Sequence, residues 1–159
     1  MEQIQFDAVF DSPVGRLGIT LEGDRLRTLT FLDGRTGLVP TTDDATRRVS
    51  QAILKYLDAP SVLPTVSLVP DGTPFQRRVW AALQAIPAGQ VMTYGELAVQ
   101  LESGARAVGN ACRRNPTPLV VPCHRVVPSK GIGGFAGHTS GRLVAVKRQL
   151  LAREGVEIR

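Results

Sequence analysis

Apolar and polar positions alternate over the first thirty residues, and the period then changes. Ile4, Phe6, Ala8 and Phe10 recur at every second position, followed by the turn-like DSPVG. Leu17-Gly-Ile-Thr-Leu21, the break Glu22-Gly-Asp24 and the run Leu26 to Leu32 come next. A period of two bounded by Gly, Pro and Asp predicts three antiparallel strands. Residues 33–42 read as loop. Asp43 or Asp44 then caps a helix running to about Leu57, with Val49, Ile53 and Leu57 at i, i+4, i+8. The proline-rich stretch 59–73 is predicted to be an extended connection with one short strand, Thr65–Val69, and is the best domain boundary.

Beyond it the pattern is helical. Thr73-Pro74 places Thr at the N-cap and Pro at the first helical position. Phe75, Val79, Leu83 and Ile86 form one stripe, ended by Pro87-Ala-Gly-Gln. TYGELAVQL (93–101) is a short helix with Leu97 and Leu101 inside. The break Glu102-Ser-Gly104 leads to a second helix, ARAVGNACRRN (105–115), stopped by Pro116 and Pro118. A strand Leu119-Val-Val121, the segment PCHR, a glycine-rich loop GIGGFAG (131–137) and a last helix follow. In that helix Leu143, Val146, Leu150 and Leu151 face inward, and Gly155 closes it. The expected fold is α+β: an N-terminal part over 1–72 and a mostly helical part over 73–159.

The chain has 159 residues and is 43% hydrophobic, enough for a real core, and only 5% aromatic, so that core rests on aliphatic side chains. Net charge is +5, unevenly spread. Residues 1–73 carry seven Lys/Arg and ten Asp/Glu, and residues 74–159 carry twelve and four. A basic second half suits a polyanion such as nucleic acid, or is simply a solvated surface. No apolar run approaches the ~20 residues of a membrane span. The N-terminal MEQIQFDAVF lacks a basic leader segment. The expected setting is therefore soluble and reducing, cytoplasmic or nucleoid-associated, or nuclear in a eukaryote.

The helices over 93–115, joined by a Gly-containing break, fit a helix-turn-helix. On the second, Val108, Ala111 and Cys112 should face inward, and Arg106, Asn110 and Arg113 outward. Ala105, Ala107 and Gly109 make that helix slim. A slim basic helix can enter the ~6 Å minor groove, or its small residues can serve close packing alone.

Cys112 and Cys123 are too few for a disulfide framework, and with His124 and His138 they match no zinc spacing. Cys123 in LVVPCHRVV has two open readings. Free cysteine is among the most buried residue types. A nucleophile instead needs its pKa of ~8.5 lowered by a base or cation, and His124 and Arg125 adjoin it. Neighbours in sequence face each other only at a turn or through a bridging water, and a third group must orient the imidazole.

The ordered set GTPFQRRVW, IPAGQVMTYGELA, ARAVGNACR, NPTPLVVPCHRV, GGFAG and LLAREG, over about 73–155, resembles the O6-alkylguanine-DNA alkyltransferases, the methylated-DNA–protein-cysteine methyltransferases. The N-terminal half is similar only through DSPVGRL and a strand pattern compatible with a ribonuclease-H-like domain. The resemblance implies that Cys123 accepts the alkyl group from guanine O6, and from thymine O4 as well, once and irreversibly. It implies a Cys123–His124–Glu154 relay, with Asn115 bracing the turn and Tyr94 assisting the leaving base. Arg106 would fill the gap left by the flipped nucleotide. Thr93, Tyr94, Ala105, Ala107, Gly109, Asn110 and Arg113 would contact DNA in the minor groove. Val126, Phe135, Ala136, Gly137 and Lys147 would line the base pocket. The implied partner is duplex DNA bearing O6-alkylguanine, with the protein a monomer without cofactor or metal. Three features depart from the family pattern: the extra HTSGR at 138–142, Phe135 where Tyr is common, and Cys112, read as core. The alternative is a non-catalytic lesion-binding relative, in which the acceptor cysteine is replaced.

Overall fold

A computed structural model describes residues 5–60, 65–135 and 141–157. Strands β1 (Ala8–Ser12), β2 (Gly15–Glu22) and β3 (Arg25–Leu32) form an antiparallel meander in the order β1-β2-β3. Both connections are two-residue turns, set by the pairs Ser12↔Gly15 and Glu22↔Arg25. Gly23 sits at φ 63° in the second, where a side chain would be strained. Ala8, Leu17, Ile19, Leu26, Leu29 and Phe31 turn to one face and are buried.

Helix α1 (Asp44–Asp58) covers that face. Asp43 is the N-cap, accepting from the Thr46 N–H at 2.7 Å. Its inward stripe is Val49, Ile53 and Leu57, with Tyr56 beside them. The expected strand over 65–69 reduces to a single parallel bridge, Leu26↔Leu68. Pro70 follows directly and cannot extend a ladder.

Helix α2 (Pro74–Gln84) starts at a reciprocal capping box between Thr73 and Gln76. It ends two residues before buried Ile86, so that residue completes the stripe from outside the helix. A parallel pair, β4 (Met92–Thr93) with β5 (Val126–Val127), has no counterpart in the sequence pattern, because two residues carry no period. Thr93 also caps α3 (Tyr94–Gln100) in a second capping box with Glu96. Four residues later comes α4 (Ala105–Arg113), two residues shorter than expected. Helix α5 (Arg142–Arg153) ends at Gly155, φ 83°.

The expected strand 119–121 is not formed. Leu119, Val120 and Val121 are buried as a turn, with Leu119 at φ 77° and a single bridge Pro118↔Val121. Leu119 at positive φ and the Val121 N–H to Thr117 O bond at 2.9 Å fold the segment back on itself, and its apolar side chains reach the core from a turn instead. The two halves meet through backbone and side-chain bonds: Leu29 N–H to Pro116 O at 2.9 Å, and Arg153 Nη1 to Leu57 O at 2.8 Å. Among the described residues no helix is long and apolar enough to cross a membrane.

Candidate active site

One turn of 3₁₀ helix, Cys123–Arg125, follows Pro122. Successive residues of such a turn point about 120° apart. Cys123 and His124 therefore diverge from a shared backbone. The turn is placed by Asn115, whose Nδ2 donates to Val121 O at 2.8 Å and whose Oδ1 accepts from the Thr117 N–H at 3.0 Å.

Cys123 is 7% exposed. Burial pushes its thiol up, and a hydrogen bond from Asn115 and the Lys147 charge pull it part of the way back. The thiol is therefore a thiol at rest, and attack requires a base. His124 is fully buried, and burial lowers its pKa despite the Glu154 carboxylate beside it. Its Nε2 lies 3.2 Å from Glu154 Oε1. Burial raises Glu154, but hydrogen bonds from His124, Arg125 and Tyr56 outweigh it and hold the carboxyl at about 2. An ionised carboxylate only accepts, so His124 Nε2 carries the proton and Nδ1 holds a lone pair. That Nδ1 is buried and has no hydrogen-bond partner among the described residues.

Arg125 does not face the thiol, contrary to the sequence reading. Its Nε spans both Glu154 oxygens at 3.0 and 3.1 Å, Nη2 also donates to Oε2, and Nη1 donates to Ile86 O at 2.6 Å. Both side chains are fully buried. Tyr56 of α1 adds a fourth group: its hydroxyl donates to Glu154 Oε2 at 2.7 Å and lies 3.3 Å from His124 Nε2. Tyr56 was not among the sequence candidates, and Arg125 was considered there only as a cation beside the thiol. For Tyr56 the available signal was a phenol on a buried stripe, which needs a polar partner.

Tyr94, at the start of α3, is half-buried and pushed up to about 12, by burial and then by the charges of Cys112 and Cys123. Cys112 is 8% exposed and likewise pushed to about 12, as expected of core. Lys147 is fully buried, and burial lowers it to about 8. Its Nζ donates to Val126 O at 2.8 Å and Gly134 O at 3.0 Å, tying α5 to β5 and the glycine loop. Phe135 is buried with its ring 5.3 Å from that of Phe31. Ala136 and Gly137 lie outside the described residues.

Ala105, Arg106, Ala107, Asn110 and Arg113 are exposed along α4, while Val108, Ala111 and Cys112 are buried. Ala107, Asn110, Arg113 and Arg114 line an open groove of about 510 Å³ together with Thr73, Phe75 and Gln76 at the start of α2. Thr93 caps α3 and borders a second groove with Ser129 and Lys130. No group of three His, Cys, Asp or Glu among the described residues is arranged to hold a metal ion.

A family profile, "6-O-methylguanine DNA methyltransferase, DNA binding domain", matches residues 74–156. A methylated-DNA–protein-cysteine methyltransferase of Methanosarcina acetivorans is 36% identical, over 93% of this chain and 97% of that one. The corresponding Salmonella typhimurium protein is 51% identical over 98 residues, 60% of this chain and 54% of its own. Among solved structures, Mycobacterium tuberculosis OGT in complex with DNA superposes with a TM-score of 0.74 at 36% identity, covering 92% of this chain and 90% of that one. The O6-methylguanine-DNA methyltransferase of Pyrococcus kodakaraensis gives 0.71 at 31% identity, covering 93% and 98%.

Proposed function

The chain belongs to the O6-methylguanine DNA methyltransferase family, and from that membership we infer that it repairs alkylated DNA by moving the alkyl group onto its own Cys123. One observation carries the assignment of residues: a buried thiol on the same 3₁₀ turn as a histidine whose free Nδ1 is oriented by a buried carboxylate.

The steps balance as follows. His124 Nδ1, directly or through one water, takes the thiol proton, and the imidazolium is stabilised by Glu154. The Cys123 sulfur forms a bond to the alkyl carbon on O6 of guanine. The C–O6 bond breaks, its electron pair stays on the base, and the guanine anion takes a proton, with the Tyr94 hydroxyl as donor. The resulting thioether has no leaving path in the site, so each molecule acts once. O4-alkylthymine fits the same displacement.

The target atom lies inside the duplex, and extruding the nucleotide costs a few kcal/mol. Arg106 on the slim face of α4 is the side chain that takes its place in the stack, approaching from the minor groove. In this reading α3 and α4 are a helix-turn-helix, Thr93, Ala105, Ala107, Gly109, Asn110 and Arg113 contact DNA, and Val126, Phe135 and the tail of the glycine loop wall the base pocket. Lys147 holds that wall rather than the base. The meander with α1 is a ribonuclease-H-like N-terminal domain over 1–72. The alkyltransferase part follows over 73–159, a division supported by the match beginning at residue 74. The protein acts as a cytoplasmic monomer.

Intact mass after mixing with duplex DNA containing O6-methylguanine tests the assignment. One methyl replaces one hydrogen per molecule, mapped to Cys123, and none is gained by Cys123→Ala. Binding without transfer favours the lesion-binding alternative, and repeated turnover contradicts the single-use mechanism.

A further inference from the structure

Tyr56 stands 68 positions before His124 in sequence, on a helix of the other half of the fold. It is 2% exposed. Its hydroxyl nevertheless reaches two members of the relay, at 2.7 Å from Glu154 Oε2 and 3.3 Å from His124 Nε2. We propose that Tyr56 is a positioning residue for the acceptor thiol's base, holding His124 in the Nε2–H tautomer that leaves Nδ1 free. The proposal rests on the alkyl-transfer reading of Cys123.

The hydrogen-bond inventory supports it. Glu154 Oε2 accepts from Tyr56 and Arg125, while Oε1 accepts from Arg125 and from His124. With its proton committed to Glu154, the Tyr56 oxygen has only lone pairs to offer His124 Nε2, so that nitrogen must donate. A proton on Nδ1 instead would set the Nε2 lone pair against both oxygens. Burial raises the Tyr56 pKa, reinforced by its bond to Glu154, so the phenol keeps its proton throughout the working pH range. The groups facing His124 are thus Glu154, Arg125, Lys147 and Tyr56. Only Tyr56 comes from the N-terminal half. Helix α1 thereby bears on the protonation pattern of the base through Tyr56.

Removing the hydroxyl takes away the lone pairs that face the Nε2–H, so both that tautomer and the imidazolium, which donates there as well, are less well held. His124 becomes a weaker base, and the pH at which it is lost to protonation falls. Tyr56→Phe should therefore slow single-turnover transfer from free O6-benzylguanine about tenfold, a part of the ~10²–10⁴ a general base contributes. The acid limb of its pH–rate profile moves to lower pH. Incorporating 3-fluorotyrosine at 56, which keeps the ring and strengthens the donor, moves the limb to lower pH. Imidazole ¹⁵N spectra report Nε2–H as the dominant tautomer of His124 in the wild type and a mixture in Tyr56→Phe. This measurement needs no substrate. A packing role alone would change thermal stability and leave limb and tautomer where they are, and that result overturns the proposal. If the wild type itself fails to alkylate Cys123 while the tautomer responds to Tyr56, the transfer reading fails and the tautomer lock survives.

Discussion

In the proposed transfer, His124 is the residue on which the chemistry turns. Its pKa is depressed below the ordinary 6.5 because the ring is wholly buried, and the Cys123 thiol is raised above the ordinary 9.0 for the same reason. At neutral pH the pair rests as thiol and neutral imidazole. Transfer needs the imidazole neutral, so the rate is lost only as pH falls through the depressed folded-state pKa. A plateau from pH 6.5 to about 9 is expected in single-turnover kinetics with a free base substrate. A limb centred above 6.5 would contradict the burial argument. Arg125 shows how misleading adjacency can be: two positions from the thiol, it is spent on Glu154 and Ile86.

At the scale of elements, the turn from α4 to the 3₁₀ segment does what the missing strand was expected to do. Asn115 closes the turn through its side chain, using both ends of the amide. Asn115→Ala leaves Val121 O and the Thr117 N–H without those partners, at a cost of about 1–3 kcal/mol. Denaturant unfolding should register that loss. Transfer to free O6-benzylguanine should fall as well, because the thiol rides on the same turn and loses its Asn115 hydrogen bond. Full activity in a destabilised Asn115→Ala would separate the brace from the site. Unlike the strand, the helices were legible beforehand: Thr73 before Pro74 marks the start of α2, and Val108, Ala111 and Cys112 declare the buried side of α4, although Thr93, expected inside α3, is its N-cap.

Across the whole molecule, the basic second half and the exposed face of α4 suit the proposed contact with duplex DNA, and Tyr56 bridges the His124–Glu154 pair to the first half. Arg106 belongs to this scale because its proposed role is on DNA and not on the thiol. Arg106→Ala should slow repair in duplex DNA far more than reaction with free O6-benzylguanine, since only the duplex has to be opened. Equal loss on both substrates would remove Arg106 from that role. Local sequence was sufficient for the meander, the helix caps, the slim α4 and the Cys-His pair, because strand alternation, helix stripes and caps are set by residues within a few positions of one another. Three things were settled only by tertiary structure: which way Arg125 faces, that Tyr56 meets Glu154 across 98 positions, and that the Leu119–Val121 run packs as a turn. The first two depend on partners 29 and 98 positions away, because a buried polar group takes its role from whichever partners the folded core brings within hydrogen-bond reach; the third is closed locally by Asn115, while the core buries its apolar side chains.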